Sequence, residues 1–240
     1  MHVDSDSTIT VTDFCGGNGV EFSTVLANLM VLDAEYRSPS YAKRCFASTL
    51  NTGSRRRGTC FVAVTRGFTE SADAEDVMAL LRDYHAAIGE VIIKHNGTLE
   101  RYAGDGVMVI FNDPVPVENP ALQAVLMALE MRDAIGALTG KWRRFGHGIG
   151  FGIGIAHGYA THGTIGFEDR FDYAAIGTVS NVASRLCDEA KPGQILVSPR
   201  VLVAVENAVK VEPVGEFELK GIRRPLAAYN VLGVGSSARE

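Results

Sequence analysis

A stretch in which glycine alternates with isoleucine and phenylalanine, GIGFGIGIAHGYA (148–160), restricts the fold more than any other part of the chain. Alternation with a period of two predicts a β-strand, because successive side chains point to opposite faces. One face of this strand is bare, which indicates close approach of another backbone or of a ligand. A dinucleotide-binding loop is not indicated, because its glycines lie between a strand and a helix rather than inside a strand.

The neighbouring segments predict further elements in a recognisable order. These are a buried strand (59–65), a helix that begins near residue 73 and stops at Asn96-Gly97, a hairpin around Gly104-Asp105-Gly106, and a helix that begins at Asn119-Pro120 and ends near Gly140. Together with the glycine-rich strand they predict an α+β, ferredoxin-like βαββαβ fold, with helices packed on an antiparallel sheet. A helix over 178–190 and strands around 211–217 and 227–232 form a C-terminal extension.

Length and composition suit one domain with an added N-terminal segment. We predict an arm or linker with one helix over residues 1–55, a domain over 56–233 and a tail over 234–240. The net charge of −5, without a basic stripe, argues against a nucleic-acid partner. The absence of a signal peptide and of an apolar run of membrane-spanning length, together with four scattered cysteines, leads us to expect a cytoplasmic protein with no membrane span.

Three groups of polar residues are candidates for a phosphate site. The segment RGFT (66–69) follows a strand and precedes a helix, so its backbone N–H groups can bind a polyphosphate. Asp105, at the tip of the predicted hairpin, can ligate Mg²⁺ beside that turn. Asn181 and Arg185 are four residues apart on one helix face, where an amide and a guanidinium can stabilise negative charge on a phosphate. Each group alone is also compatible with an ordinary turn or a solvated helix face.

Five segments in order resemble the class III adenylate/guanylate cyclase catalytic domain over residues 58–233: RGFT, NGTLERYAGDGVMVIFNDP, FGIGIAHGYATHGTIG, DYAAIGTVSNVASRL and LKGIRRPLAAYNVLG. The resemblance implies a head-to-tail homodimer whose active sites are built from both chains. It also implies two Mg²⁺ or Mn²⁺ ions that assist attack of the ribose 3′-hydroxyl on the α-phosphate, with release of pyrophosphate and a cyclic nucleotide. Diguanylate cyclases share much of this topology, but their hairpin reads GGDEF or GGEEF, whereas this one reads AGDGV.

The resemblance assigns the phosphate half of the site to residues that this chain retains. They are Gly67, Phe68 and Thr69 in the phosphate-binding turn, Asp105 as the second metal-binding aspartate, Asn181 as the ribose-orienting asparagine, Arg185 as the arginine that stabilises the transition state, and Lys220 as the lysine that contacts the triphosphate.

Three positions depart from the family pattern. Val64 occupies the place of the first metal-binding aspartate, and its apolar side chain cannot ligate Mg²⁺. Arg101 stands where adenylate cyclases carry a lysine and guanylate cyclases a glutamate, and it can still donate to adenine N1. Ala174 stands where the second base-reading residue is commonly Asp or Thr, so a hydrogen-bonding partner of the base is missing.

These residues leave two functions open. The first is an adenylate cyclase that converts ATP, in preference to GTP, to cyclic AMP and pyrophosphate as a homodimer with Mg²⁺ or Mn²⁺. The second is a non-catalytic nucleotide-binding or regulatory dimer module, in which Val64 marks lost chemistry. A heterodimer is a further hypothesis, in which this chain lends Asn181 and Arg185 to a competent cyclase partner.

Overall fold

A computed structural model describes residues 55–68, 74–103, 106–143, 149–167 and 170–235. In chain order the elements are β1 (Arg55–Phe68), α1 (Ala74–Lys94), β2 (Thr98–Ala103), β3 (Gly106–Phe111), α2 (Pro120–Arg143), β4 (Ile149–Phe167), β5 (Arg170–Ile176), α3 (Thr178–Glu189), β6 (Ile195–Val197), α4 (Pro199–Val205), β7 (Val209–Phe217) and β8 (Leu226–Val234). The predicted N-terminal arm (1–55), with its helix, lies outside the described residues apart from Arg55, which begins β1, and Thr69 and Asp105 lie outside them as well.

The predicted order β1, α1, β2, β3, α2, β4 is confirmed, and the signals that predicted two of these helices act as expected. α1 ends just before Asn96, which has a φ of 57°, a left-handed conformation that asparagine tolerates at a helix end. α2 begins at Pro120, and the side-chain oxygen of Asn119 accepts a hydrogen bond of 3.1 Å from the backbone N–H of Leu122. Asn119 is therefore an N-cap of the expected kind.

The strands form one eight-stranded sheet in the order β2-β3-β1-β4-β6-β8-β7, and β5 pairs with the far half of β4. The β4–β6 pairing is parallel, and the other pairings are antiparallel. β1 lies between β3 and β4, so the long β1–β4 pair forms the centre of the sheet. This arrangement confirms the α+β class and the helices packed on an antiparallel sheet.

The two faces of the sheet are covered by different helices. In β3, Val107 and Val109 join the large cluster beneath α1, α2 and α4, whereas Met108 and Ile110 join the cluster that contains residues of α3. Residues of one strand thus alternate between two cores, as a sheet buried on both faces requires. The α3 side is the thinner layer, since a single helix covers it among the described elements.

The bare face of β4 is filled by the backbone of α3. A Cβ atom on Gly154 would lie 2.2 Å from the carbonyl oxygen of Ala183 and 2.3 Å from the amide nitrogen of Cys187, and one on Gly152 would lie 2.7 Å from Cβ of Ala190. The Cys187 thiol also lies 3.2 Å from the carbonyl oxygen of Gly152, to which it donates. Of the two alternatives predicted for the bare face, the close approach is that of another backbone.

Several elements differ from the sequence-based expectations. β1 continues through Phe68, so Gly67 and Phe68 pair with Gly150 and Ile149 in a strand, whereas we expected them in an open turn. α2 extends to Arg143, three residues beyond Gly140. The sequence pattern did not indicate β5, β6 or α4, which are three to seven residues long; β6, for example, is extended by its pairing with β4 and β8, which lie elsewhere in the chain. β4 also runs on to Phe167, which provides the edge for β5.

No helix in the described ranges is long and apolar enough to cross a bilayer.

Substituting Gly154 by alanine tests the contact between α3 and β4. The added methyl group meets helix backbone, which cannot rotate away, so we expect Gly154→Ala to lower the free energy of unfolding by about 3 kcal/mol or more. Gly233→Ala in β8 is the matched control, since a Cβ atom there has nothing within 4 Å, and we expect a change of at most about 1 kcal/mol. Denaturant unfolding of both variants measures the difference, and equal losses would contradict the packing described.

Candidate functional site

The helix α3 carries Asn181 and Arg185 on its outer side. Its opposite side is anchored by Val179, Ala183 and Leu186, which are buried against the sheet. Asn181 is exposed and the Arg185 side chain is 43% exposed, so both polar groups remain available to a ligand. The Nη1 atom of Arg185 lies 3.0 Å from Oδ2 of Asp188 one turn along the helix, an exposed ion pair that contributes little to stability.

Lys220 lies in a turn that packs against the same helix. The turn closes through a 2.9 Å hydrogen bond from the amide of Ile222 to the carbonyl of Leu219, and Gly221 takes a φ of 85° there. Leu219 is buried in one cluster with Leu186 of α3, while Lys220 itself is exposed. The structure therefore brings the turn that carries Lys220 to the helix that carries Asn181 and Arg185.

Val64 lies at the end of the β1–β3 pairing. It is opposite Val107 of β3, which is two residues beyond Asp105 in the chain, and opposite Ile153 of β4. β2 ends at Ala103 and β3 begins at Gly106, and these two residues pair with one another. Asp105 is one of the two residues between them in the chain and lies outside the described residues. The register thus places a valine where the strand beside this hairpin would need to supply a carboxylate.

These residues do not fit the two-ion site that the resemblance implies. Valine has no oxygen with which to hold Mg²⁺ or Mn²⁺, and two adjacent cations need several anionic ligands. Over the described part of the chain, no group of three or more His, Cys, Asp or Glu side chains is arranged to hold a metal ion. Asp105, which supplies a carboxylate next to β3 in the sequence, lies outside the described residues.

Gly67 and Phe68 are the last residues of β1. They pair with β4, but the pairing of β1 with β3 ends at Val64 in the part of the chain that the structure describes. The backbone of Gly67 and Phe68 therefore extends past the end of β3, on the side where the connection between β2 and β3 lies. This is the strand end from which the family's phosphate-binding turn begins.

Arg101 lies next to an irregularity in β2. Leu99 pairs with Val109 and Arg101 pairs with Met108, so Glu100 is the extra residue of a β-bulge. Met108 belongs to the α3-side cluster, which puts Arg101 on the sheet face that carries α3. The Arg101 side chain is 56% exposed, whereas the Glu100 side chain is only 1% exposed.

The Glu100 carboxylate bridges β2 and β5. Its Oε1 atom accepts a 3.1 Å hydrogen bond from the backbone N–H of Ala175, and it lies 3.5 Å from Nη1 of Arg101. Its Oε2 atom is buried and has no hydrogen-bond partner among the described residues. Burial raises the pKa of Glu100 above its ordinary value, and the hydrogen bond from Ala175 and the charge of Arg101 oppose that shift.

The segment around Ala174 is held on both sides. The Tyr173 hydroxyl donates to the carboxylate of Asp113, and Nδ1 of the buried His162 lies 3.8 Å from the same carboxylate oxygen. On the other side, the amide of Ala175 donates to Glu100. Ala174 is therefore fixed in position, although its methyl group offers no hydrogen bond.

The sequence analysis missed Glu100. Strict alternation along TLERYA would put Glu100 and Arg101 on opposite faces of β2, with Glu100 away from the candidate site. The bulge interrupts this alternation locally. The sequence of β2 contains no glycine or proline that would indicate a bulge. A charged residue at a position expected to face the core was the available signal.

Glu100→Gln tests how much the buried Glu100 carboxylate lowers the free energy of unfolding. Because the folded state raises the pKa of Glu100, it binds the proton more tightly than the unfolded chain, so the native protein loses stability as the pH rises from about 4.5 through the raised pKa. We expect Glu100→Gln to raise the free energy of unfolding at pH 7, and the gain to shrink toward pH 4.5. Denaturant unfolding at several pH values measures this, with the exposed Glu118→Gln as control. A gain independent of pH would contradict the expectation.

Comparison with known proteins agrees with this architecture. The model of the adenylate and guanylate cyclase catalytic domain family matches residues 60–233. Adenylate cyclase 1 of Rhizobium meliloti (strain 1021) is 32% identical over 169 residues, which are 69% of this chain and 25% of that protein. An uncharacterised protein of Mycobacterium tuberculosis is 29% identical over 178 residues, 71% of this chain and 32% of its own length. The chain thus matches only about a quarter to a third of these relatives.

Solved structures give the same result. The adenylyl cyclase CyaB from P. aeruginosa is 29% identical, with a TM-score of 0.71 over 77% of this chain and 98% of that one. The guanylyl cyclase Cya2 is also 29% identical, with a TM-score of 0.73 over 78% of this chain and 98% of that one. The family match spans most of the chain and every element from β2 to β7, and on this evidence the chain belongs to the adenylate and guanylate cyclase catalytic domain family.

Proposed function

We propose that this chain binds ATP and, as a homodimer, converts it to cyclic AMP and pyrophosphate. The observation that carries the proposal is the arrangement around α3. This helix presents Asn181 and Arg185 outward, and the turn with Lys220 packs against its base. An amide, a guanidinium and an ammonium group on one rigid framework suit a triphosphate and its ribose.

The reaction needs the ribose 3′-oxygen to attack the α-phosphorus while the bond to the β-phosphate oxygen breaks. The 3′-hydroxyl loses its proton, and pyrophosphate leaves with the electron pair of the broken bond. In the proposed complex, Asn181 orients the ribose, Arg185 donates to the oxygens on which negative charge accumulates, and Lys220 binds the triphosphate. The helix and the turn that carry these donors are held in place before the reaction, so only the side chains have to adjust to the ligand.

The base is proposed to bind at the β2–β5 side of the same sheet face. Arg101 is exposed there and donates to N1 of adenine, which is a hydrogen-bond acceptor. Gly67 and Phe68, with Thr69 next in the chain, are proposed to bind phosphate oxygens through their backbone N–H groups. The preference for ATP over GTP is part of the proposal, and the name of the Rhizobium relative supports it, whereas Cya2 is called a guanylyl cyclase.

Val64 favours a second function, that of a non-catalytic nucleotide-binding or regulatory module. The register puts this apolar residue beside the hairpin of Asp105, and a single aspartate holds fewer charges than a two-ion site needs. The fold and the α3 surface would be retained in such a module, while turnover would be lost. The two functions make opposite statements about turnover by the native chain.

Turnover of ATP and GTP, with Mg²⁺ and separately with Mn²⁺, separates the two functions. If the chain is a cyclase, the native protein forms cyclic AMP, and Arg185→Ala lowers the rate by about 10²-fold or more, because a donor to the transition-state charge is lost. Asp188→Ala is the matched control on the same helix, since it removes only the exposed partner of Arg185. Cyclic nucleotide is quantified directly.

If the native chain forms no cyclic nucleotide but the Val64→Asp variant does, the non-catalytic module is supported, because the rest of the site is then able to catalyse the reaction. If Val64→Asp also forms no cyclic nucleotide, while nucleotide binding is retained, the cyclase proposal is overturned.

A heterodimer follows from the separation of the two halves of the site in the family's dimer. Mixing this chain with a cyclase that retains both metal-binding aspartates but lacks its own Asn and Arg should restore turnover, since Asn181 and Arg185 come from this chain. The control mixture contains Arg185→Ala in place of the native chain and should stay inactive. Equal rates in the two mixtures would contradict the heterodimer.

A further inference from the structure

A buried carboxylate occupies the part of the candidate site where the family pattern has lost a polar group. Glu100 contacts the peptide group that joins Ala174 to Ala175, through the 3.1 Å hydrogen bond to the Ala175 amide. Ala174 itself has no side-chain acceptor. A carboxylate beside this position is thus supplied by a different strand, β2.

The second oxygen of this carboxylate needs a partner. The Glu100 side chain is only 1% exposed, and its Oε2 atom has no hydrogen bond among the described residues. An unsatisfied buried acceptor is costly, and it is more so when the group carries charge. Such an atom calls for an explanation, and a hydrogen-bond donor on a bound ligand is one that would satisfy Oε2.

The neighbouring charge restricts which donor fits. Arg101 lies 3.5 Å from Glu100 and is itself more than half exposed, so its side chain can turn toward a ligand at little cost. The pair then offers one carboxylate oxygen as acceptor and one guanidinium as donor. The edge of adenine carries an amino donor at position 6 beside the acceptor N1, which is the complementary pair.

We propose that Glu100 is the second base-reading residue of this chain: its Oε2 atom accepts a hydrogen bond from the 6-amino group of adenine, in place of the side chain absent at Ala174. Arg101 donates to N1 in the same complex. The bulge in β2 is what makes this possible, because it brings two consecutive residues to one side of the strand. The inference rests on the nucleotide binding proposed above and adds the residue that selects the base.

The destabilisation expected from the buried Glu100 carboxylate is consistent with this role. A buried carboxylate with a hydrogen bond to only one of its two oxygens destabilises the folded chain. Residues of this kind are concentrated at ligand sites. The bond from Ala175 holds Oε1, so the orientation of Oε2 is set before the ligand binds. Asp113 and Tyr173 fix the other end of the same segment.

Binding of two matched nucleotides tests the proposal without any turnover. The probes are 3′-deoxyadenosine triphosphate and its counterpart that lacks the 6-amino group, neither of which can cyclise because both lack the 3′-hydroxyl. Each competes with a fluorescent ATP analogue for the full chain. We expect the native protein to bind the amino compound about tenfold more tightly, because only this compound satisfies Oε2.

Glu100→Gln is the decisive variant. Glutamine has the same shape and can keep the hydrogen bond from Ala175 through its carbonyl oxygen, but its amide NH₂ then replaces the acceptor. The preference for the 6-amino compound should fall to about one, and the 6-oxo (inosine) counterpart should gain affinity. Glu118→Gln, an exposed glutamate before α2, should keep the tenfold preference.

Three results would overturn the inference. A native protein that binds the two probes equally, or that prefers the compound without the amino group, would show that Glu100 does not read the 6-amino group while nucleotide binding stands. An unchanged preference in Glu100→Gln would assign base selection to another residue. Binding of neither probe to the native chain would overturn the proposed nucleotide site together with this inference.

Discussion

The contact between the backbone of α3 and the bare face of β4 is the constraint on which the rest of the structure depends. Gly152 and Gly154 let the helix approach until its carbonyl and amide groups touch the strand, at distances that no Cβ atom would allow. Close approach fixes the height of α3 above the sheet and therefore the position of Asn181 and Arg185. Leu219 then packs against Leu186, so that the turn with Lys220 depends on the same contact.

The two ends of the candidate site differ in how they are held. The phosphate end is on one helix and one anchored turn, and its cationic side chains are exposed and can adjust to a ligand. The base end is rigid, because Glu100 and the Tyr173–Asp113 pair hold β5 on either side of Ala174. In the proposed nucleotide complex, the side chains that bind phosphate would adjust to the ligand, while the residues beside the base would stay in place. Val64 is the residue that separates this framework from the family's two-ion chemistry.

Much of the fold was predictable because strong local signals agree with the global arrangement. Asn119-Pro120 and Asn96-Gly97 mark helix ends through capping and left-handed backbone, which depend on nearby residues alone. The length of β1 was not predictable, because Gly67 and Phe68 are extended by pairing with β4 rather than by their own preference. The short elements β6 and α4 were missed for the same reason, since partners distant in sequence stabilise them.

The sequence by itself determined the family, the order of the elements from β1 to β4 and the residue types at the candidate site, including a valine where the resemblance leads us to expect an aspartate. These properties depend on residue type and spacing, which can be read directly from the sequence. Only the tertiary structure decided which backbone fills the bare glycine face and that the turn of Lys220 lies against α3. It also decided that Glu100 sits buried against β5 beside Arg101. The physical reason is that a β-bulge and a close helix contact arise from pairing between distant segments, and no single segment specifies them.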